Sequence, residues 1–336
     1  MKKLLINLTV LFTGCGLLMA CSSNPDQFEG QPASATGPIK VGVLKGPSAI
    51  GLVHFMYQVS SQSASSADYQ VEVFANIDEL LPKIIQGQIE IAAVPANVAA
   101  VLDTRQPDAI QALAVTGLGM FYVMENGDSI TSVQDLRGRT ILAAVKGASH
   151  EYALRYLLSA HGLDPEKDVT FEWKSEHPEV VASLTTTPNV IALLPQPFAT
   201  IAQAANEDLR LALDLNQEWN ALSESGQSAG ALVTTVLVAR SELIQSRRAD
   251  VLEFMEQYRA SVNFVNDHVP EAAVLVEQFD LFPAAVAQKA IPLINITFVE
   301  GPEMQAMLAG YLAILFDVNP QAVGGELPGE EFYFKR

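Results

Sequence analysis

Cysteine is nearly absent from this 336-residue chain: there are two, Cys15 and Cys21, and none after them. Everything beyond residue 21 therefore folds without a disulfide, a cysteine nucleophile or a cysteine-held metal. Histidine is scarce as well, with 5 in the chain, and no two stand one helical turn apart, the spacing by which a helix face grips a transition metal. Basic side chains number 20 against 38 acidic ones, giving a net charge of −18. So acidic a surface cannot neutralise the phosphates of nucleic acid, and it keeps the folded part off an anionic membrane. No Walker loop or dinucleotide fingerprint is present, and no nucleophile elbow is expected. Metal, cofactor and nucleic acid are all expected to be absent from the function.

What the chain does have is a repeat. Val43-Leu44-Lys45-Gly46-Pro47-Ser48 returns about a hundred positions later as Ala144-Val145-Lys146-Gly147-Ala148-Ser149. Each copy reads as a strand, a tight turn at glycine and the first turn of a helix, with Pro47 where a missing N–H costs nothing. A helix start presents free backbone N–H groups, and with the helix dipole and a serine hydroxyl these suit an anionic or strongly accepting ligand atom. A second echo has the same offset: Ile89 to Asn97 is matched by Asn189 to Pro197, each a buried strand running into proline. The pattern predicts an α/β protein of two lobes, each a mostly parallel sheet flanked by helices, with a ligand cleft between them.

The N-terminus carries a basic start, Met1-Lys2-Lys3, and an apolar run from Leu4 to Met19 that is too short and polar-broken for a membrane span. Residues 1–20 read as a signal segment. Leu18-Met19-Ala20-Cys21 is similar to the lipobox of bacterial lipoproteins, which implies that Cys21 becomes the lipidated first residue. Residues 21–37, rich in Ser, Pro, Gln, Gly and Ala, read as a flexible tether. The first lobe is expected over 39–117 and 231–336, the second over 118–230. Glycines at Gly117-Leu118-Gly119 permit the backbone swing of a first crossing, and a second is expected near Ser228 to Leu232. After a strand at Val233 to Ala239, the rest is expected to be helical.

Ligands of parallel sheets collect at the carboxyl ends of the strands. The candidates there are Lys45, Gly46, Pro47, Ser48, Asn76, Asn97 and Thr116 in the first lobe. In the second they are Gly147, Ala148, Ser149, His150, Glu151 and Gln196, with Tyr122 and Phe198 as rings for a planar ligand and Thr234 at the cleft floor. Asn97 fits two roles, a plain helix cap and an amide directed at ligand, and the lysines fit both a solvated and a binding role. Glu176-His177 lies in a turn able to approach His150.

Val41 to Ser48, Gly138-Arg139-Thr140-Ile141 ahead of Lys146-Gly147-Ala148-Ser149, Leu194-Pro195-Gln196-Pro197-Phe198 and the ending Phe332-Tyr333 together carry a family likeness. From about residue 39 onward the chain resembles extracytoplasmic substrate-binding proteins of ABC importers, nearest to those for nitrate, sulfonates and thiamine precursors. The resemblance implies the type II periplasmic-binding fold, two crossing strands, and closure of the lobes on a small polar or anionic solute. It further implies an ABC permease and its ATPase as partners, no catalysis, and a location outside the cytoplasm, lipid-anchored to the bacterial cell membrane. A monomer is expected. Gln196 stands where that family often has glutamate, and losing the carboxylate weakens the case for a cationic ligand. Two other functions stay open: a ligand sensor signalling through a partner, and an enzyme on the same fold using His150 with Glu151.

Overall fold

Buried apolar runs form the strands, and the turn chemistry between them starts the helices. The computed structural model describes residues 37–61, 67–224 and 230–336. The signal segment, Cys21 and nearly all of the tether lie outside the described residues, as does most of the polar run before the second crossing.

The first stretch is β1 (Ile39–Leu44), α1 (Pro47–Ser60), β2 (Tyr69–Phe74), α2 (Ile77–Ile85), β3 (Ile91–Pro95), α3 (Ala96–Arg105) and β4 (Ile110–Leu118). The middle stretch is β5 (Phe121–Asn126), β6 (Thr140–Ala144), α4 (Ser149–Ala160), β7 (Thr170–Lys174), α5 (His177–Thr186), β8 (Ile191–Pro195), α6 (Phe198–Ala205), β9 (Leu209–Asp214) and α7 (Leu215–Glu224). The chain ends with β10 (Val233–Arg240), α8 (Ser241–Ser246), α9 (Arg248–Asp267), α10 (Val269–Gln278), α11 (Ala284–Ala290), β11 (Ile296–Val299) and α12 (Gly301–Val318). The expectation of an all-helical ending misses β11, whose Ile296 and Phe298 alternate inward against β4. It was too short to stand out between helical patterns.

Two mixed sheets result, ordered β11-β4-β10-β3-β1-β2 and β7-β6-β8-β5-β9. Set side by side, β2-β1-β3-β10-β4 and β7-β6-β8-β5-β9 share one plan, which is the repeat seen in the sequence written as topology. In each sheet the three strands β2-β1-β3 or β7-β6-β8 pair in parallel, and a single strand then inserts antiparallel. The inserted strand is the one arriving from the other sheet: β5 follows β4 directly, and β10 follows the middle stretch. A chain that crosses over enters its new sheet reversed, and this is why both sheets are mixed.

At the first crossing the glycines have a different reason from the expected one. Neither Gly117 nor Gly119 takes a positive φ; instead, a Cβ on Gly119 would stand 2.5 Å from the Cβ of Asn216, and one on Gly117 would stand 3.1 Å from the Thr234 hydroxyl. Close approach, of the second crossing to Gly117 and of Asn216 on α7 to Gly119, rather than backbone freedom, demands glycine there. Thr234 donates its hydroxyl to Leu118 O at 2.9 Å and so ties one crossing to the other.

Around the first sheet the returning helices fill the core. Phe55, Tyr69 and Phe254 meet with ring centroids 5.2–5.6 Å apart, each such buried ring contributing roughly 1.5–3 kcal/mol of burial. The buried Ser261 hydroxyl donates to Gly51 O at 2.8 Å and accepts the Phe55 N–H at 3.2 Å, fastening α9 to α1. Phe334 N–H donates to Ala112 O at 3.0 Å, so the C-terminal tail is stitched beside β4.

Candidate ligand cleft

Helix α3 begins directly after the carboxyl end of β3, and α4 begins a few residues after the carboxyl end of β6. Ser149, the first residue of α4, donates its hydroxyl to Oδ1 of Asn97 in the first turn of α3 at 2.8 Å. Both residues are buried, 6 % exposed each. One contact thus brings the carboxyl edges of the two sheets face to face, and the free N–H groups of two helix starts converge on the same junction. For Asn97 the structure decides against the plain cap, because its side-chain oxygen is directed to the other sheet.

The two Lys-Gly-x-Ser turns are not quite equal. Pro47 opens α1 immediately after Gly46, and Ser48 donates back to Leu44 O at 3.2 Å. In the second copy Val145 takes a positive φ of 53°, an uncommon conformation for a β-branched residue, and α4 starts one residue later. Lys45 and Lys146 are both exposed, and the Lys45 ammonium stands 6.0 Å from the ring of Phe282.

Among the described residues nine buried side-chain polar atoms have no hydrogen-bond partner, and four of them are Thr116 Oγ1, Tyr311 Oη, Gln196 Nε2 and His177 Nδ1. Tyr311 lies beside Ser149, and Thr116 beside Tyr258, whose hydroxyl is 3.5 Å from Ser48 O. Gln196, only 1 % exposed, follows the carboxyl end of β8. Its Oε1 accepts from the Thr200 hydroxyl at 2.8 Å and the Thr200 N–H at 3.3 Å. A backbone N–H can only donate, so the atom facing it is the oxygen, and the free one is the Nε2 donor. Unpartnered buried polar groups are costly and rare; the other five, His54 Nδ1, His161 Nε2, Ser241 Oγ, Gln257 Oε1 and Glu300 Oε2, are spread over other elements.

Rings run across the junction. Phe121, His150, His177, Phe198 and Phe282 are linked in that order with centroids 5.7, 5.6, 5.0 and 6.3 Å apart. Phe121, His150, His177 and Phe198 belong to the side of the second sheet, and Phe282 to the loop between α10 and α11. Burial, and the neighbouring His150, push the His177 pKa down to about 3; burial likewise lowers that of His150. Both imidazoles are neutral at physiological pH, so the ring wall carries no charge.

Several sequence candidates are occupied elsewhere. Asn76 is exposed and caps α2, accepting the Glu79 N–H at 3.1 Å. Tyr122 is 2 % exposed and donates its hydroxyl to Leu293 O at 2.8 Å, which leaves no ring face for a ligand. The Glu151 carboxylate accepts the Gly147 N–H at 2.7 Å and pairs with Arg155 at 2.8 Å, so it closes its own turn and takes the Gly147 amide with it. Thr234 serves the crossing. Missing from the sequence candidates were Tyr311 and Phe282. Tyr311 sits in a helical stripe that reads as core, and nothing local marks it.

The catalytic pairing of His150 with Glu151 is not formed: His150 Nε2 lies 2.7 Å from Ala144 O, and Glu151 turns to Arg155. One Gly-x-Ser-x-Gly string is in fact present, Gly226 to Gly230, contrary to the expectation of none. It follows α7 and precedes β10, the reverse of the strand-turn-helix order of a nucleophile elbow. Two surface cavities, of about 290 Å³ beside Asp103 and Glu326 and about 400 Å³ beside Arg155 and Ile314, lie away from the junction.

A family model described as ABC transporter, phosphonate, periplasmic substrate-binding protein matches residues 59–276, well over half of the chain. The chain belongs to this family. As a member it is the substrate-binding component of an ABC import system, which captures a solute outside the cytoplasm and delivers it to the transporter. Solved structures show the same fold. A crystal structure of an ABC transporter protein from Parabacteroides distasonis is 23 % identical, over 89 % of this chain and 99 % of that one, with a TM-score of 0.73. The aliphatic sulphonate binding protein SsuA from Escherichia coli is 16 % identical over 85 % and 93 %, with a TM-score of 0.67. The nitrate-binding protein NrtA from Synechocystis is 12 % identical over 74 % and 68 %, with a TM-score of 0.55. No curated protein sequence matches the chain.

Proposed function

We propose that this substrate-binding protein takes a small polar or anionic molecule between two lobes, 39–117 with 231–336 and 118–230, at the junction of Asn97 and Ser149. The observation that carries the reading is their 2.8 Å hydrogen bond, because it draws two helix N-termini from different sheets onto one point. Ser48, Thr116, Ser149, Gln196 and Phe198 form the binding set, with Lys45 at the rim. A solute touching both lobes binds the closed form better than the open one, and this differential affinity drives closure; the permease then reads the closed form. Cys21 carries the lipid that holds the monomeric receptor to the membrane. No catalysis accompanies binding, a reading supported by the separate commitments of His150 and Glu151.

Native mass spectrometry on the protein purified without denaturation tests the capture. A stoichiometric small-molecule adduct, lost in the Asn97→Ala/Ser149→Ala double variant, is expected. An adduct that survives both substitutions places the solute elsewhere. Replacing Cys21 by serine is expected to move the protein from the membrane fraction to the soluble one.

A further inference from the structure

The C-terminal residues are anchored at their far end and arch over a gap before it. Phe332, Tyr333 and Phe334 are buried, 2–6 % exposed. Tyr333 bridges in parallel to Ala112 on β4, and the Phe334 N–H donates to Ala112 O at 3.0 Å. They take the half of the β4 edge that β11 leaves free, since β11 pairs with Val115 and Gly117 further along. The Arg248 guanidinium stands 4.7 Å from the Phe334 ring and donates to Lys335 O at 2.8 Å, and Arg336 pairs with Glu256 and Glu300. Upstream, Gly324 and Gly325 take positive φ angles of 92° and 96°, a turn that favours glycine at both positions. Between this turn and the buried rings the chain is mostly exposed. Beneath it lies the cavity of about 290 Å³, lined by Asp103 and Asp108 from the end of α3 and the loop after it, and by Glu326, Glu330 and Glu331 from the tail.

Five carboxylates thus face one another across the gap, and no Lys or Arg lines it. Glu330 is partnered, by Gln305 of α12 at 3.1 Å and by Lys335 at 3.6 Å; Asp103, Asp108, Glu326 and Glu331 make no ion pair among the described residues. Arg105, two residues beyond Asp103, is exposed and stands outside the lining. Nor, among the described residues, do three of these groups converge closely enough to hold a metal ion. Like charges on two segments resist being brought together, and the resistance falls when one of them takes up a proton. Asp103 is the group that gives way: burial, with Asp108 and Glu326 close by, raises it to about 6. The Tyr333 hydroxyl, pushed up to about 12 by burial, Glu330 and Asp103, stays neutral throughout.

We infer that residues 326–336 form a detachable strap over the free half of the β4 edge, and that the carboxylates of the cavity beneath it loosen the strap as they ionise. Release uncovers three apolar rings and the Ala112 edge of β4, a surface on which another extended segment can pair. Closing the strap raises the pKa of Asp103. By linkage the strap is therefore tightest below the ordinary carboxylate range and loosens as pH rises through 6. His177 runs the other way, weakening the core as pH falls, so the sign of the response separates strap from core.

Hydrogen exchange of the full chain at pH 5 and pH 7.5, read by mass spectrometry and corrected for intrinsic rates, tests this. A peptide covering residues 329–336 reports the strap, and one covering β3 reports the core. The strap amides are expected to be about fivefold less protected at pH 7.5 than at pH 5, with no loss of protection in β3. Asp103→Asn and Glu326→Gln, which keep the shape and remove a charge, are each expected to shrink that ratio to below about twofold. Equal protection of the strap at both pH values overturns the inference. A ratio unchanged in both variants takes the control away from the cavity, and a parallel loss in β3 makes the response global; either result also overturns it.

Discussion

Ser149 and Asn97 lie 52 positions apart and in helices that follow different sheets, yet the serine hydroxyl donates to the asparagine oxygen at 2.8 Å in a buried setting. No other side-chain hydrogen bond among the described residues joins two helix first turns across the sheets in this way. A buried neutral hydrogen bond contributes about 1 kcal/mol net, and more is lost when one partner is left behind. Ser149→Ala and Asn97→Ala are each expected to lower the unfolding free energy by about 1–2 kcal/mol, with a coupling of about 1 kcal/mol in the double-mutant cycle from urea titrations. Strict additivity would show that the contact is not made in solution.

Glu151 is a structural carboxylate. It is 4 % exposed, accepts the Gly147 N–H and pairs with Arg155, itself 15 % exposed in the side chain. Removing it leaves a mostly buried guanidinium with the Phe171 ring and, for a counter-charge, the exposed Glu166. Glu151→Ala should cost about 2–3 kcal/mol in chemical denaturation, whereas a solute contact there would instead show as lost affinity at unchanged stability.

His177 makes stability depend on acid. Its folded pKa, about 3, lies below the ordinary value of 6.5, so the contribution is present above pH 6.5 and is lost as pH falls from 6.5 toward 3. The buried neutral ring must be protonated for the chain to unfold favourably in that window. His177→Phe should flatten the fall of stability between those limits, by on the order of 2 kcal/mol in pH-dependent melting; a curve parallel to wild type would contradict the buried neutral histidine.

Asp103 works in the opposite sense. Burial, with Asp108 and Glu326 close by, raises its carboxyl to about 6. Whatever stability this lends is full below the ordinary carboxylate range and disappears as pH rises through 6. Asp103→Asn should therefore stabilise the protein at pH 7.5 by at most about 1 kcal/mol, since solvent screens the half-exposed group, and should leave it unchanged at pH 4. A stabilisation equal at both pH values would point to packing.

Trp219 is placed to report closure. Its ring lies 4.6 Å from that of Tyr156 on α4 and 5.7 Å from that of Tyr311 on α12, and its Nε1–H donates to Gly230 O at 3.1 Å. Solute addition should change tryptophan emission in the wild type and in Trp173→Phe, but not in Trp219→Phe. A signal that instead disappears with Trp173, on strand β7, would locate the movement away from the crossings.

The two-lobed plan was legible from a single chain because it is written twice. A strand ending in Lys-Gly-x-Ser, and a later strand ending in proline, recur at one spacing, and backbone physics turns each copy into the same β2-β1-β3 order. The scarcity of cysteine and the acidic surface narrowed the function by chemistry alone. Local patterns stopped where the partner of a side chain is far away in sequence. Asn76 and Asn97 both stand at helix starts after strands; only the fold turns one into a cap for Glu79 and the other toward Ser149. Glu151 looks like a cleft carboxylate until Arg155 and the Gly147 amide close on it. Tyr311 reads as one more core residue of α12 until the packing of α12 against α4 brings its hydroxyl to Ser149. Periodicity and turn chemistry depend on neighbours a few residues apart and so are carried by sequence. Which buried polar atom is left without a partner depends on every surrounding element at once, and only the tertiary structure decides it.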